Sequence, residues 1–238
     1  MEQFGPQVVV GGMPWQAKGE EKTFGHNALT ANVLCERHNS SLSPLDAEAG
    51  RLFRCLTEGF DHITKKSLST KTAYFFASGE ALERWAIKSL FAFYHGGLAW
   101  ADGKRLRDGV RFDETLARRA ILEELLSAPL GTYVHPNIGT DFSRQVQWAP
   151  LLSNGTGALA GVRVQLLGIT FDVLVETAEA AFHNKSNAHL HRPTVLDLVG
   201  RTRTSRIFLS WYPKIAAEVH RIGILIAPKW FPLSRLQS

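Results

Sequence analysis

Along this chain the spacing of apolar and polar positions changes period once, near Gly131. Before that point the repeats are helical. Leu45, Ala49, Leu52, Phe53 and Leu56 fall on one face of a helix, with Glu48, Arg51 and Arg54 opposite. Ser43 is placed to cap this helix, Pro44 suits its first turn, Asp46 takes the capping-box position, and Gly59 reads as its stop. Leu82, Trp85, Ala86, Ser89, Leu90 and Phe93 predict a second helix over residues 80–94, with Glu80 and Arg84 paired on its outer side. Leu116, Ala120, Ile121 and Leu125 predict a third over residues 114–126. Glu80, Glu83, Glu123 and Glu124 read as solvated carboxylates on these helices.

After Gly131 the period shortens to two. Val162, Val164 and Leu166 share one face of a strand, and Ile169, Phe171, Val173 and Val175 share one face of the next. Two such runs meeting at Gly168 predict a β-hairpin or a sharply bent strand. Residues 144–148, 207–211 and 222–226 add strand-like pieces, and Asn154-Gly155-Thr156-Gly157 reads as a hairpin loop. In the N-terminal half, residues 7–10 and 24–33 are extended enough for a hairpin, and residues 72–77 (TAYFFA) predict a short buried strand. The expected class is α+β, with a helix-rich N-terminal half that includes a short hairpin–helix element, and a sheet-rich C-terminal half. The charged, glycine-containing stretch 100–113 is the natural seam, giving regions 1–108 and 109–238, or one continuous domain.

Composition narrows the class without naming a function. With 238 residues, 45% of them hydrophobic and 21% charged, the chain can bury a sizeable core. No apolar run approaches the roughly 20 residues of a membrane span, so no membrane partner is expected. The N-terminus has no basic leader and only two cysteines occur, so a cytoplasmic protein without a disulfide framework is expected. A net charge of +5 and a pI near 9.4 permit contact with nucleic acid or an acidic partner without requiring it.

Three groups of residues carry candidate chemistry. Cys35-x-x-His38 has the spacing of half a tetrahedral site for zinc or another divalent metal, with His26 the sole upstream partner. The competing reading is a buried thiol at a strand end. His183, His189 and His191 form a second metal candidate, to which Asp172 or Glu176 can add a carboxylate; otherwise they belong to a polar surface loop. Arg201, Arg203 and Arg206, with Arg192, Lys214, Trp211 and Tyr212 nearby, suit phosphate contact and base stacking. Lys65, Lys66 and Lys71 make a second basic patch. A solvated, charge-protected strand edge is the alternative for both.

The run VLCERHNSSLSPLD, with the helix AEAGRLFRCL after it, resembles the closing half of the HNH, or ββα-metal, nuclease module. LERWAIKSLFAFYHGG is similar to segments of bacterial HNH-like proteins. The resemblance covers about a tenth of the chain. It implies DNA or RNA as the partner, a divalent metal at Cys35 and His38, and His26 as the catalytic candidate. The upstream Cys-x-x-Cys and histidine segment of such modules are missing here, through a start inside the module or loss of its chemistry. The expectation is therefore a nucleic-acid-associated protein that binds or regulates. A metal-dependent nuclease or hydrolase and a non-catalytic protein-interaction module are the alternatives.

Overall fold

A computed structural model describes residues 7–11, 16–17, 19–25, 36–65, 70–101, 104–122, 126–135, 146–177, 180, 189–211 and 221–225. Strands β1 (Gln7–Gly11) and β2 (Glu21–Gly25) form an antiparallel hairpin. Helix α1 (Glu36–Thr64), strand β3 (Lys71–Ser78) and helix α2 (Gly79–His95) follow. A small ladder of β4 (Trp100–Ala101) and β5 (Lys104–Arg105) then leads into helix α3 (Glu114–Leu122). The remaining strands are β6 (Gly131–Val134), β7 (Val146–Leu152), β8 (Leu159–Leu166), β9 (Ile169–Leu174), β10 (Leu190–His191), β11 (Val195–Val199), β12 (Arg203–Ser210) and β13 (Arg221–Leu225). The class is α+β. Helices α1 to α3 precede residue 123 and the rest is sheet-rich, yet the N-terminal half is itself mixed, since it also holds β1 to β5.

Two sheets enclose the helices. The antiparallel five-stranded sheet has the order β10-β6-β9-β8-β7, and the mixed four-stranded sheet the order β13-β11-β12-β3. β3 lies parallel to β12, so the second sheet draws on both ends of the chain. Helix α1 packs on β3, β11 and β12, and α2 packs against α1 and presents another side to β8 and β9. Leu52, Leu56, Leu82, Ile87, Leu90, Val164, Phe171, Leu198 and Ile207 belong to one continuous core between these layers. The β8–β9 hairpin closes through Leu167 and Gly168, both at positive φ (50° and 82°), the geometry that matches the twist of tightly connected strands.

Helix α1 departs from the expected start and stop. It spans 29 residues, so Ser43 and Pro44 lie inside it and not at its start. Pro44 has no N–H to offer the Ser40 carbonyl one turn back. The Ser43 hydroxyl donates to that carbonyl instead, at 2.9 Å. A proline with a neighbouring hydroxyl in mid-helix thus has the same residues as a capped N-terminus. Asp46 caps nothing; it pairs with Lys88 Nζ at 2.6 Å and ties α1 to α2. Gly59 is not a stop. A Cβ there would sit 3.1 Å from Leu198 Cδ1, and the Gly59 carbonyl accepts the Ser205 hydroxyl at 2.8 Å, so the glycine lets α1 press onto the sheet.

Glu83 is also corrected. It is 1% exposed. Its Oε2 accepts the Thr132 backbone N–H at 2.9 Å and the Thr132 hydroxyl at 3.0 Å, while Arg192 Nη2 donates to Oε1 at 2.7 Å. Arg192 Nη2 also donates to the Leu126 carbonyl at 2.6 Å. This carboxylate clamps α2 to β6 and to the segment before β11. Helical periodicity placed Glu83 among polar neighbours, and it had no means of revealing a buried partner 109 residues away.

Candidate nucleic-acid interface

Alternation along β3 and β12 sorts their side chains onto two faces. Ala77, Ser205, Ile207 and Leu209 are buried toward α1, and Phe75 packs against the same core. Tyr74 and Phe76 point the other way, 58% and 66% exposed. The strand expected to be buried is therefore covered on one face alone, because α1 lies on one side of it. Phe208 on β12 joins the two: its ring centroid is 5.2 Å from that of Phe76 and 6.4 Å from that of Tyr74, at interplanar angles of 13° and 19°. Three roughly parallel rings form a continuous aromatic surface at the β3 edge.

Charge borders this surface on β12. Arg206, directly opposite Tyr74 in the ladder, is forked onto Asp197, with Nε–Oδ1 at 2.8 Å and Nη2–Oδ2 at 3.0 Å. Those hydrogen bonds raise the Arg206 pKa above its ordinary value. Arg221 Nε approaches the same carboxylate at 3.5 Å, so two guanidiniums share one anion and the trio keeps one positive charge. At the end of the sheet, Lys71 and Arg201 are exposed and Arg203 is partly buried; they line an open groove of about 350 Å³. Lys65 is exposed just beyond the end of α1, which reaches this groove through the close approach of Gly200 to the Ile63 carbonyl. Lys66 lies outside the described residues.

The predicted basic stretch thus divides. Arg201 and Arg203 sit at the groove and Arg206 beside the aromatic rings, whereas Arg192 is spent on Glu83. Trp211 is no stacking platform: its Nε1–H donates to the Pro193 carbonyl at 2.9 Å, and Arg192 lies over its ring. Tyr212 and Lys214 are outside the described residues. Tyr74, Phe76 and Phe208 escaped sequence reasoning because an apolar run with period-two spacing does not say which face is covered. The signal present was the aromatic–basic pairing itself, Tyr74 with Arg206 and Phe76 with Phe208, which only the register exposes.

The histidine candidates resolve differently. His189 does meet Asp172, through a residue that sequence reasoning passed over. His135, just after β6, holds Asp172 Oδ2 at 2.6 Å, and its ring lies 4.0 Å from that of His189. Arg163 forks onto the same fully buried carboxylate at 2.7 and 2.8 Å, which raises the arginine's pKa. The pairing was legible as charge symmetry, since Arg163 and Asp172 flank the hairpin turn at equal distance. His191 lies 2.9 Å from the Leu130 carbonyl, to which its Nε2 donates, and packs on Tyr133. Among the described residues, no three His, Cys, Asp or Glu side chains are arranged to hold a metal ion. His183, His26 and Cys35 lie outside the described residues, as does the side chain of His38, whose backbone is in α1. Cys55 is buried in α1, and burial pushes its thiol pKa up. No described helix is long and apolar enough to cross a membrane. No family model, curated protein or solved structure matches the chain.

Proposed function

We propose that the chain binds single-stranded nucleic acid, DNA or RNA, on the aromatic face of the four-stranded sheet. The observation that carries this reading is the pair Tyr74 and Phe76, large rings left 58% and 66% exposed in line with Phe208. Exposed aromatics of this size are rarely left on a surface without use. Rings on a sheet serve as stacking platforms for unpaired bases, and flanking cations attract the backbone. Arg206 and Arg221, one charge in excess over Asp197, supply that charge beside the rings, and the groove cations Lys71, Arg201 and Arg203 add to it at the end of the sheet. A duplex hides its base faces and offers this surface only phosphates, so a single strand is the favoured form.

Fluorescence anisotropy with labelled single-stranded DNA and RNA at low salt tests the proposal. Binding should weaken with salt, by a slope of about −0.7 in log affinity against log salt for each phosphate contacted. Tyr74→Ala and Phe76→Ala should each cost about 1–2 kcal/mol, roughly tenfold in affinity, with the fold intact by circular dichroism. Equal affinity of the Tyr74→Ala/Phe76→Ala double variant and the parent, or no binding of either nucleic acid, would sink the reading.

A further inference from the structure

The groove at the end of the four-stranded sheet holds a second, more specific feature. Its walls are the start of β3, with Thr70, Lys71 and Thr72, and the turn joining β11 to β12, with Arg201, Thr202 and Arg203. Three cations and the hydroxyls of four threonines, Thr204 included, line it, and no carboxylate is among the lining residues. Gly200 shapes the turn: an added Cβ would lie 2.8 Å from the Ile63 carbonyl oxygen, so glycine is what draws the turn against the end of α1. The Gly200 N–H donates to the Arg203 carbonyl at 2.9 Å and closes the turn.

Arg203 is the informative residue. Its Nε is buried and has no hydrogen-bond partner. Leaving a buried donor unpaired costs the full desolvation of that group, more so when it is charged. The partly buried Arg192 and Arg206 avoid this cost, since each forks onto a carboxylate. Arg203 instead lines an acid-free groove. A guanidinium on the groove lining, among a lysine, a second arginine and hydroxyls, matches a tetrahedral oxyanion.

We propose that this groove is a seat for a phosphate group, with Arg203 as its central donor and Lys71 and Arg201 as flanking cations. Thr72 and Thr204 precede Tyr74 and Arg206 by one same-face step along their strands, about 7 Å. Their hydroxyls lie on the side of the rings, whereas Lys71 and Arg203 pair on the α1 side, so a strand whose bases lie on Tyr74 and Phe76 brings a phosphate to the seat by passing over the end of the sheet. The source of the phosphate rests on the function proposed above; the seat itself does not.

Isothermal titration with inorganic phosphate, against sodium chloride of matched ionic strength, tests the seat on the full chain. Saturable one-to-one binding is expected, weakened at least tenfold by Arg203→Met. Arg201→Met, at an exposed position, should weaken it several-fold, and keeps the test open if Arg203→Met does not fold. No saturable binding beyond the chloride control, or binding indifferent to both substitutions, overturns the proposal. Anisotropy with 5′-phosphorylated and 5′-hydroxyl oligonucleotides then assigns the source. Tighter binding of the phosphorylated strand, lost in the arginine variants, places a terminal phosphate in the seat, and equal binding of both, displaced by inorganic phosphate, places a backbone diester. Strand binding that persists without any phosphate binding removes the seat and spares the function. Phosphate binding without strand binding does the reverse.

Discussion

Arg163 with Asp172 on β8–β9, and Arg206 with Asp197 on β11–β12, are the same cross-strand fork in two sheets. In each, the partners face one another across a hairpin, nine residues apart in sequence. In each, the carboxylate takes a further nitrogen from a neighbouring segment, His135 in one and Arg221 in the other. The surroundings differ. Around Asp172, β6 and β9 have no exposed residue, although the Arg163 side chain itself reaches solvent. Around Asp197 the fork adjoins rings that remain in water. A buried fork fixes strand register, since its groups cannot be stranded without a partner. The Asp197 fork, whose carboxylate is buried as well, does the same and keeps one positive charge in excess beside the aromatic surface. One sheet is therefore packed all along β6 and β9, and the other packs on α1 with one face and leaves its aromatic rings open on the opposite one.

Exchanging comparable residues between the sheets breaks the comparison if it is wrong. Phe171 is fully buried in the five-stranded sheet, and Phe171→Ala should cost about 3–5 kcal/mol in urea unfolding. Phe76→Ala should cost less than about 1 kcal/mol, because most of its ring never leaves water. Similar losses at both positions would mean that the aromatic face is covered. Asp172→Asn should cost about 3 kcal/mol, lowering Tm by roughly 6–12 °C, since Arg163 and His135 lose their shared anion. Asp197→Asn should lower Tm less, since Asp197 keeps a slight exposure where Asp172 has none; the reverse ranking would contradict that order.

The smallest effect is alkaline. Burial raises the Cys55 pKa above its ordinary 9.0 and the Tyr133 pKa above 10.0. The unfolded chain therefore loses these protons first, so the stability they contribute is full below those values and falls as pH rises through the folded ones. Each group changes stability by at most about 1.4 kcal/mol per pH unit. In a Cys35→Ser background, the reaction of Cys55 with thiol reagents should therefore set in at higher pH in the folded chain than in urea; the same onset in both would contradict the burial of the thiol.

Much of this architecture was legible in the chain, for reasons that also mark the limits. The β8–β9 hairpin followed from two alternating runs around Gly168, and α2 from its period and the Glu80–Arg84 pair, which the structure contains at 3.4 Å. These are local regularities. The start of α1 was misplaced because Ser43 and Pro44 have the same chemistry in mid-helix as at a cap. Glu83, Arg192 and His135 took their roles from partners far away in sequence, and Tyr74 and Phe76 from the side on which α1 lies. Arg201 and Arg203 were found from charge density alone, but their separation from Arg206 needed the register.

For the folding chain, Glu83 has a different meaning. Its partners are 49 and 109 residues away, so the clamp closes only after β6 and the segment before β11 have both arrived. Until then α2 carries a charge amid its apolar side, and docking it on any other greasy surface would trap that charge unpaired. The residue that completes the native packing is thus the same one that penalises a premature or mistaken embrace.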